Sequence, residues 1–153
     1  MLKLSELKAI DIHTHAEEPC GTHADDGYDD FQEGMHAYFK SPFKHPPTVP
    51  ETAAYFRERK IGAVIFPVDA ERETGFRRYN NEEMAALAAE HSDILIPFAS
   101  IDPAKGKMGA REARRLVREF GIRGFKFHPT MQGFYPNDRN AYVLYEAIAE
   151  CGV

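Results

Sequence analysis

Two histidines separated by one residue, His13 and His15, close a short apolar run that begins near residue 8. In an extended strand the side chains at i and i+2 share a face, so Asp11, His13 and His15 are expected to project together. Two imidazoles at that spacing can converge on one divalent cation through their ring nitrogens. Neutral imidazole suits zinc and its neighbours in the first transition row. Asp11 could orient one ring through its second nitrogen or help close the metal shell. The pair alone is a weak signal, because 7 His among 153 residues give His-x-His by chance roughly 0.3 times. Its place at the carboxyl end of a strand is what gives the spacing meaning.

A second group lies in residues 122–128. Gly124, Lys126 and His128 alternate onto one face, with Phe125 and Phe127 on the other, aimed at a helical layer. A lysine on an inward face needs a function or a partner. Lys126 could hold an anionic substrate group, or be carbamylated and bridge two metals. His128, before Pro129, could touch substrate, move a proton or complete a metal shell. The following loop, residues 130–138, adds Gln132 and Asn137 as candidate substrate contacts. A competing reading wraps a structural zinc with His13, His15, Cys20 and His23. Strand geometry, which aims the first two ligands inward, disfavours it.

The elements that must position these groups repeat along the chain. Residues 8–13, 61–68, 94–99 and 122–128 are short, β-branched or aromatic, and bounded by Gly, Pro or Asp, as buried strands are. Helical periods lie between them. Thr48 and Glu51 fit a capping box opening a helix that runs to about Lys60. Asn80 caps a second, with Met84, Leu87, Ala88 and His91 on one face. A third carries Ala113, Leu116, Val117 and Phe120 and stops at Gly121. A fourth starts at Asp138, carries Ala141, Leu144, Tyr145 and Ile148, and stops at Gly152.

Alternating nearly continuous apolar strands with helices implies parallel βαβ units. An open doubly wound sheet and a (β/α) barrel both fit. His13-Thr-His15 stands where a dinucleotide fold would need its glycine-rich loop, which disfavours that version. A full barrel needs eight units, and this chain supplies about four. The fold expected is therefore α/β, the N-terminal half of a (β/α)8 TIM barrel, as a single partial domain over residues 1–153. Residues 16–47 form a long connection, of the kind that serves as a lid or binding loop. Its aromatics Tyr28, Phe31, Tyr38, Phe39 and Phe43 could fold over the site.

Composition narrows the function classes. Hydrophobic content of 43% with 28% charged residues excludes wholesale disorder. A net charge of −5 argues against nucleic acid as partner. The strongest apolar run, 61–68, is too short to span a bilayer. Two cysteines, Cys20 and Cys151, form no disulfide framework, and the first residues lack a secretory pattern. A cytoplasmic protein acting on a small molecule is expected. Pairing of two copies into eight strands, which would cover an open sheet edge, is a further expectation.

Ile10-Asp-Ile-His-Thr-His15, Gly121-Ile-Arg-Gly-Phe-Lys-Phe-His-Pro129, Gln132-Gly-Phe-Tyr-Pro-Asn137 and Tyr142-Val-Leu-Tyr-Glu146 together resemble the amidohydrolase superfamily, in its amidohydrolase-related branch. That branch holds metal-dependent hydrolases and non-oxidative decarboxylases of carboxylated substrates. The resemblance covers nearly the whole chain. It implies a distorted (β/α)8 barrel, usually with zinc, in which His13 and His15 ligate metal and Lys126 and His128 line the site. The branch's further ligands, a histidine at the fifth strand and an aspartate at the eighth, have no counterpart in these residues. Three functions then compete: an amide, ester or lactone hydrolase using metal-activated water, a decarboxylase, and a non-catalytic half-barrel that binds a partner.

Overall fold

The computed structural model describes residues 2–15, 34, 37–40 and 47–153. Its sheet has three parallel strands in chain order: β1 (Ala9–Thr14), β2 (Ile61–Ile65) and β3 (Leu95–Pro97). The register pairs Ala9 with Ile61 and Ala63 with Leu95. The helices are α1 (Val49–Arg59), α2 (Glu71–Thr74), α3 (Asn81–Glu90), α4 (Gly106–Phe120), α5 (Pro129–Gln132) and α6 (Arg139–Glu150). Expected and observed helices agree closely where a cap is encoded. Thr48 and Glu51 form the reciprocal capping box, and Asn80 accepts from the Glu82 and Glu83 amides. Gly121 ends α4 in the left-handed region at φ 67°.

Apolar burial decides between the two architectures. Ala63, Ile65 and Leu95 pack with Val49 and Ala53 of α1 and with Met84 and Ala88 of α3. Ala99, Ile101 and Ile122 pack with Ala85 of α3, Ala113 and Leu116 of α4 and Leu144 of α6. Because Ala63, Ile65 and their register partners share one side of the sheet, the four longer helices among the described residues cover that same side. A doubly wound sheet would divide them between two sides. One-sided cover is the arrangement of a barrel wall, with helices outside and the site face within. Each fully buried Ile or Leu in these layers contributes about 1.5–3 kcal/mol.

Residues 122–128 differ from expectation. They make a single parallel bridge, Phe125 to Ala99, rather than a regular strand. Arg123 N donates to Pro97 O at 2.9 Å, Ala99 N to Gly124 O at 3.0 Å and Lys126 N to Ala99 O at 2.7 Å. The chain therefore runs alongside β3 as a fourth strand would. Pro97 lacks the N–H that a continuous ladder would need two residues before Ala99, and the pairing stays irregular. Phe125 and Phe127 pack on the helical layer as their alternation requires. Gly124 is needed on the opposite face: a Cβ there would stand 2.3 Å from Cζ of Phe98. Two short helices, α2 and α5, escape the sequence reading because one turn carries no period. The 16–47 connection with its expected lid falls mostly outside the described residues; within it Tyr38 and Phe39 are exposed and meet edge to face at 5.0 Å. Among the described residues no helix is long and apolar enough to cross a membrane.

Candidate metal centre

A bulge in β1 sets the direction of the two histidines. Asp11 pairs with Ala63 but Thr14 pairs with Ile65, so three steps along β1 match two along β2. The extra residue resets the alternation. Asp11 and Thr14, as register partners of Ala63 and Ile65, take the helical side, while His13 and His15 flank Thr14 and take the site side. Asp11 therefore leaves the expected shared face. Its Oδ1 accepts from the His13 amide at 2.9 Å, bracing the bulge rather than an imidazole.

The two imidazoles converge. His13 Nε2 and His15 Nε2 are 3.3 Å apart, with ring centroids at 5.2 Å. Two nitrogens about 2.0–2.1 Å from one tetrahedral ion lie about 3.3–3.4 Å apart, so the donor pair fits a shared divalent cation. Among the described residues no third His, Cys, Asp or Glu joins them in a metal-ready cluster. Cys20 and His23, the alternative zinc partners, lie outside the described residues.

Beneath the pair sits Phe66, one residue past β2 and 2% exposed. Its ring meets His13 at 5.3 Å and His15 at 4.8 Å, both edge to face. The Lys126 ammonium lies 4.9 Å from the same ring centroid. An aromatic pair contributes about 0.5–1.5 kcal/mol beyond its area. That offsets the about 0.5–1.5 kcal/mol needed to immobilise a side chain, so Phe66 helps to hold two otherwise exposed histidines. In the sequence Phe66 belongs to an expected buried strand, with no role at the site implied. Its alternation with Val64 on the site side was the available signal.

His15 is pulled down from 6.5 to about 4. Loss of solvation is the first cause, because the ring lies against Phe66 even though the residue as a whole is exposed. Positive charge on His13, Lys126 and His128 adds to it. His13, His15 and Lys126 also share the Phe66 ring, and His128 follows Lys126 by two residues. Among the described residues Lys126 has no ion-pair partner, so the face is cationic. His128 caps α5, its Nδ1 accepting from the Met131 amide at 3.3 Å. With Nδ1 so engaged, a neutral His128 carries its proton on Nε2 and offers a donor rather than a metal lone pair.

The two loop residues part company. Asn137 is exposed. Gln132 is fully buried, and this corrects its expected place at substrate. Its Oε1 accepts from the His128 amide at 2.7 Å, and its Nε2 donates to Asp69 O at 3.0 Å and Ile101 O at 3.4 Å. Gln132 ties three loops together beneath His128.

Beside it lies a lattice that the sequence did not reveal. Asp69 accepts from Lys105 Nζ at 2.6 Å and from the Asp102 amide at 2.9 Å. Ser100 Oγ accepts from Asp69 N, and Asn81 exchanges two bonds with the Ser100 backbone. Arg72 bonds the Asp102 carboxylate at 2.8 Å, Gln132 O at 2.7 Å, and Glu73. Each buried polar group here has partners, so the lattice fixes the loops after β2 and β3.

With this geometry in place, comparison settles the lineage. The amidohydrolase family model matches residues 10–153. The chain belongs to the amidohydrolase family. Two solved structures of 5-carboxyvanillate decarboxylase from Novosphingobium aromaticivorans share its fold, at TM-scores of 0.63 and 0.62 and 18% and 17% identity. Both hold manganese and a hydroxy-methoxy-nitrobenzoic acid, and one is a point variant. The match covers 96% of this chain and 48% of each decarboxylase, so the chain spans about half the length of the structures it resembles. No curated protein matches significantly. The amidohydrolase chain is thus α/β, corresponding to the N-terminal half of a TIM barrel.

Proposed function

We propose that this amidohydrolase chain carries the metal-binding and anion-binding half of an active site for a small carboxylated substrate, and that the reaction is hydrolysis of an amide, ester or lactone bond. The observation that carries this reading is the 3.3 Å approach of His13 Nε2 and His15 Nε2 on the face that also presents Lys126. His13 and His15 would hold a divalent cation, with zinc the expected ion. Such an ion supplies Lewis-acid polarisation of a carbonyl and brings the pKa of water toward 7.

The chain's own groups supply the rest. Lys126, held over Phe66, attracts the substrate carboxylate and orients the scissile bond toward the histidine pair. His128 Nε2–H donates a hydrogen bond to the leaving group or its carbonyl, with the ring fixed from behind by the Met131 amide. Gln132 holds the His128 backbone in register. Asn137 at the rim offers an amide to polar substituents of the substrate.

A second reading is non-oxidative decarboxylation, favoured by the structural likeness to two decarboxylases that hold manganese and a substituted benzoic acid. The experiment that decides is turnover in H2(18)O of a panel of carboxylated lactones, amides and hydroxybenzoates. Hydrolysis incorporates label into a new carboxylate. Decarboxylation releases CO2 and leaves the product unlabelled. Binding of substrate carboxylates without either outcome would support the non-catalytic half-barrel.

A further inference from the structure

We infer that Phe66 is the positioning residue of this site: its buried ring sets the separation of the His13 and His15 nitrogens and seats the Lys126 ammonium beside them. The inference rests on the metal-binding reading above and adds to it the element that organises the ligands before a cation arrives. Three independent contacts meet on one ring: two edge-to-face imidazoles at 5.3 and 4.8 Å and an ammonium at 4.9 Å. The ring itself cannot wander. It is 2% exposed, and the backbone just before it is pinned where Phe98 N donates to Ile65 O at 2.9 Å. The histidines are held less firmly: both are exposed, β1 is an edge strand among the described residues, and apart from the bond between their own Nε2 atoms no carboxylate or carbonyl among the described residues orients either ring. In many metal sites a hydrogen-bonded outer partner performs that orientation. Here an aromatic edge contact takes its place, and the same ring uses its π-face to hold a cation near two metal ligands.

The test is a Zn2+ titration of the chain with 15N-labelled histidine, following the ring nitrogens of His13 and His15, for wild type, Phe66→Leu and Leu116→Ala. Leu116 is fully buried in the layer it forms with Ala113, Ile122 and Leu144, which does not include Phe66, and serves as a destabilised control. In wild type both Nε2 resonances should move together with one dissociation constant. In Phe66→Leu they should move separately, at about 10–100-fold higher Zn2+, while Leu116→Ala behaves as wild type despite its lower melting temperature. Phe66→Met, which keeps side-chain bulk without the rigid ring, should repeat the Leu result and replaces it if that variant does not fold. Joint movement at unchanged Zn2+ in the Phe66 variants would overturn the role of Phe66 alone. Absence of any shift at His13 and His15 in wild type would overturn the metal reading and this inference with it.

Discussion

Polar side chains gather at two places along the carboxyl ends of the strands, and they are built on opposite plans. Beyond β2 and β3, Asp69, Asn81, Ser100, Asp102 and Gln132 are all buried at 3% exposure or less, and each finds partners within the lattice. At the end of β1 and along residues 124–128, His13, His15 and Lys126 face one another with no carboxylate to balance them among the described residues. A satisfied lattice is a structural investment, because every donor already has its acceptor. A cationic and nitrogen-rich face with spare coordination capacity is instead suited to bind something from outside. The contrast teaches that charge and burial alone do not mark a site. Residual bonding capacity does.

The largest effect that would break this contrast falls on the histidines. A His13→Ala, His15→Ala double variant should lose zinc affinity by more than the about 10–100-fold typical of losing an outer-shell partner. Its melting temperature should stay near that of wild type, because both residues are exposed. Metal analysis after dialysis and a thermal melt read the two quantities together. The lattice should respond in the reverse sense. Asp69→Ala leaves Lys105 with only the more distant Glu112, at 3.9 Å, and unpairs the buried Asp102 amide, and should cost about 1–3 kcal/mol in denaturant unfolding, with no change in zinc stoichiometry in the folded fraction.

Gln132→Leu sharpens the comparison, since Gln132 belongs to the lattice yet supports His128. Removing its three bonds leaves buried backbone groups unpaired and should cost about 2 kcal/mol. Substrate turnover should fall further than zinc affinity, because His128 and not the histidine pair loses its support. A simple stability defect would lower neither in the folded enzyme.

The smallest effect is the pH dependence of stability. His15 titrates near 4 when folded and near its ordinary 6.5 when unfolded. Between those values the unfolded chain binds the extra proton, so stability falls as pH drops from 6.5 to 4 and is level with respect to this group above 6.5. His15→Gln should flatten that part of the melting profile. Solvent screening at an exposed position keeps the change small.

The same contrast explains what could be read in advance. Local signals survived: the Thr48 and Glu51 box, the Asn80 cap and the Gly121 stop depend on residues within one turn, and each formed as its side chains require. The histidine pair was legible because strand alternation is also local. Asp11 was misplaced because a bulge is a mismatch between two strands, visible only when β1 and β2 are paired. Gln132 looked like a rim residue because its neighbours are polar, whereas its partners Asp69 and Ile101 are 63 and 31 positions away. Phe66 looked like ordinary core because nothing near it in sequence says which three side chains will rest on its ring.

The central claim, that His13 and His15 share one divalent cation, is tested most directly by anomalous diffraction at the zinc edge from crystals of the protein grown with Zn2+. One peak is expected within about 2.0–2.1 Å of both Nε2 atoms, above Phe66 and on the side of Lys126. A peak bound by only one of the two imidazoles, or one located at Cys20 and His23 instead, would contradict it.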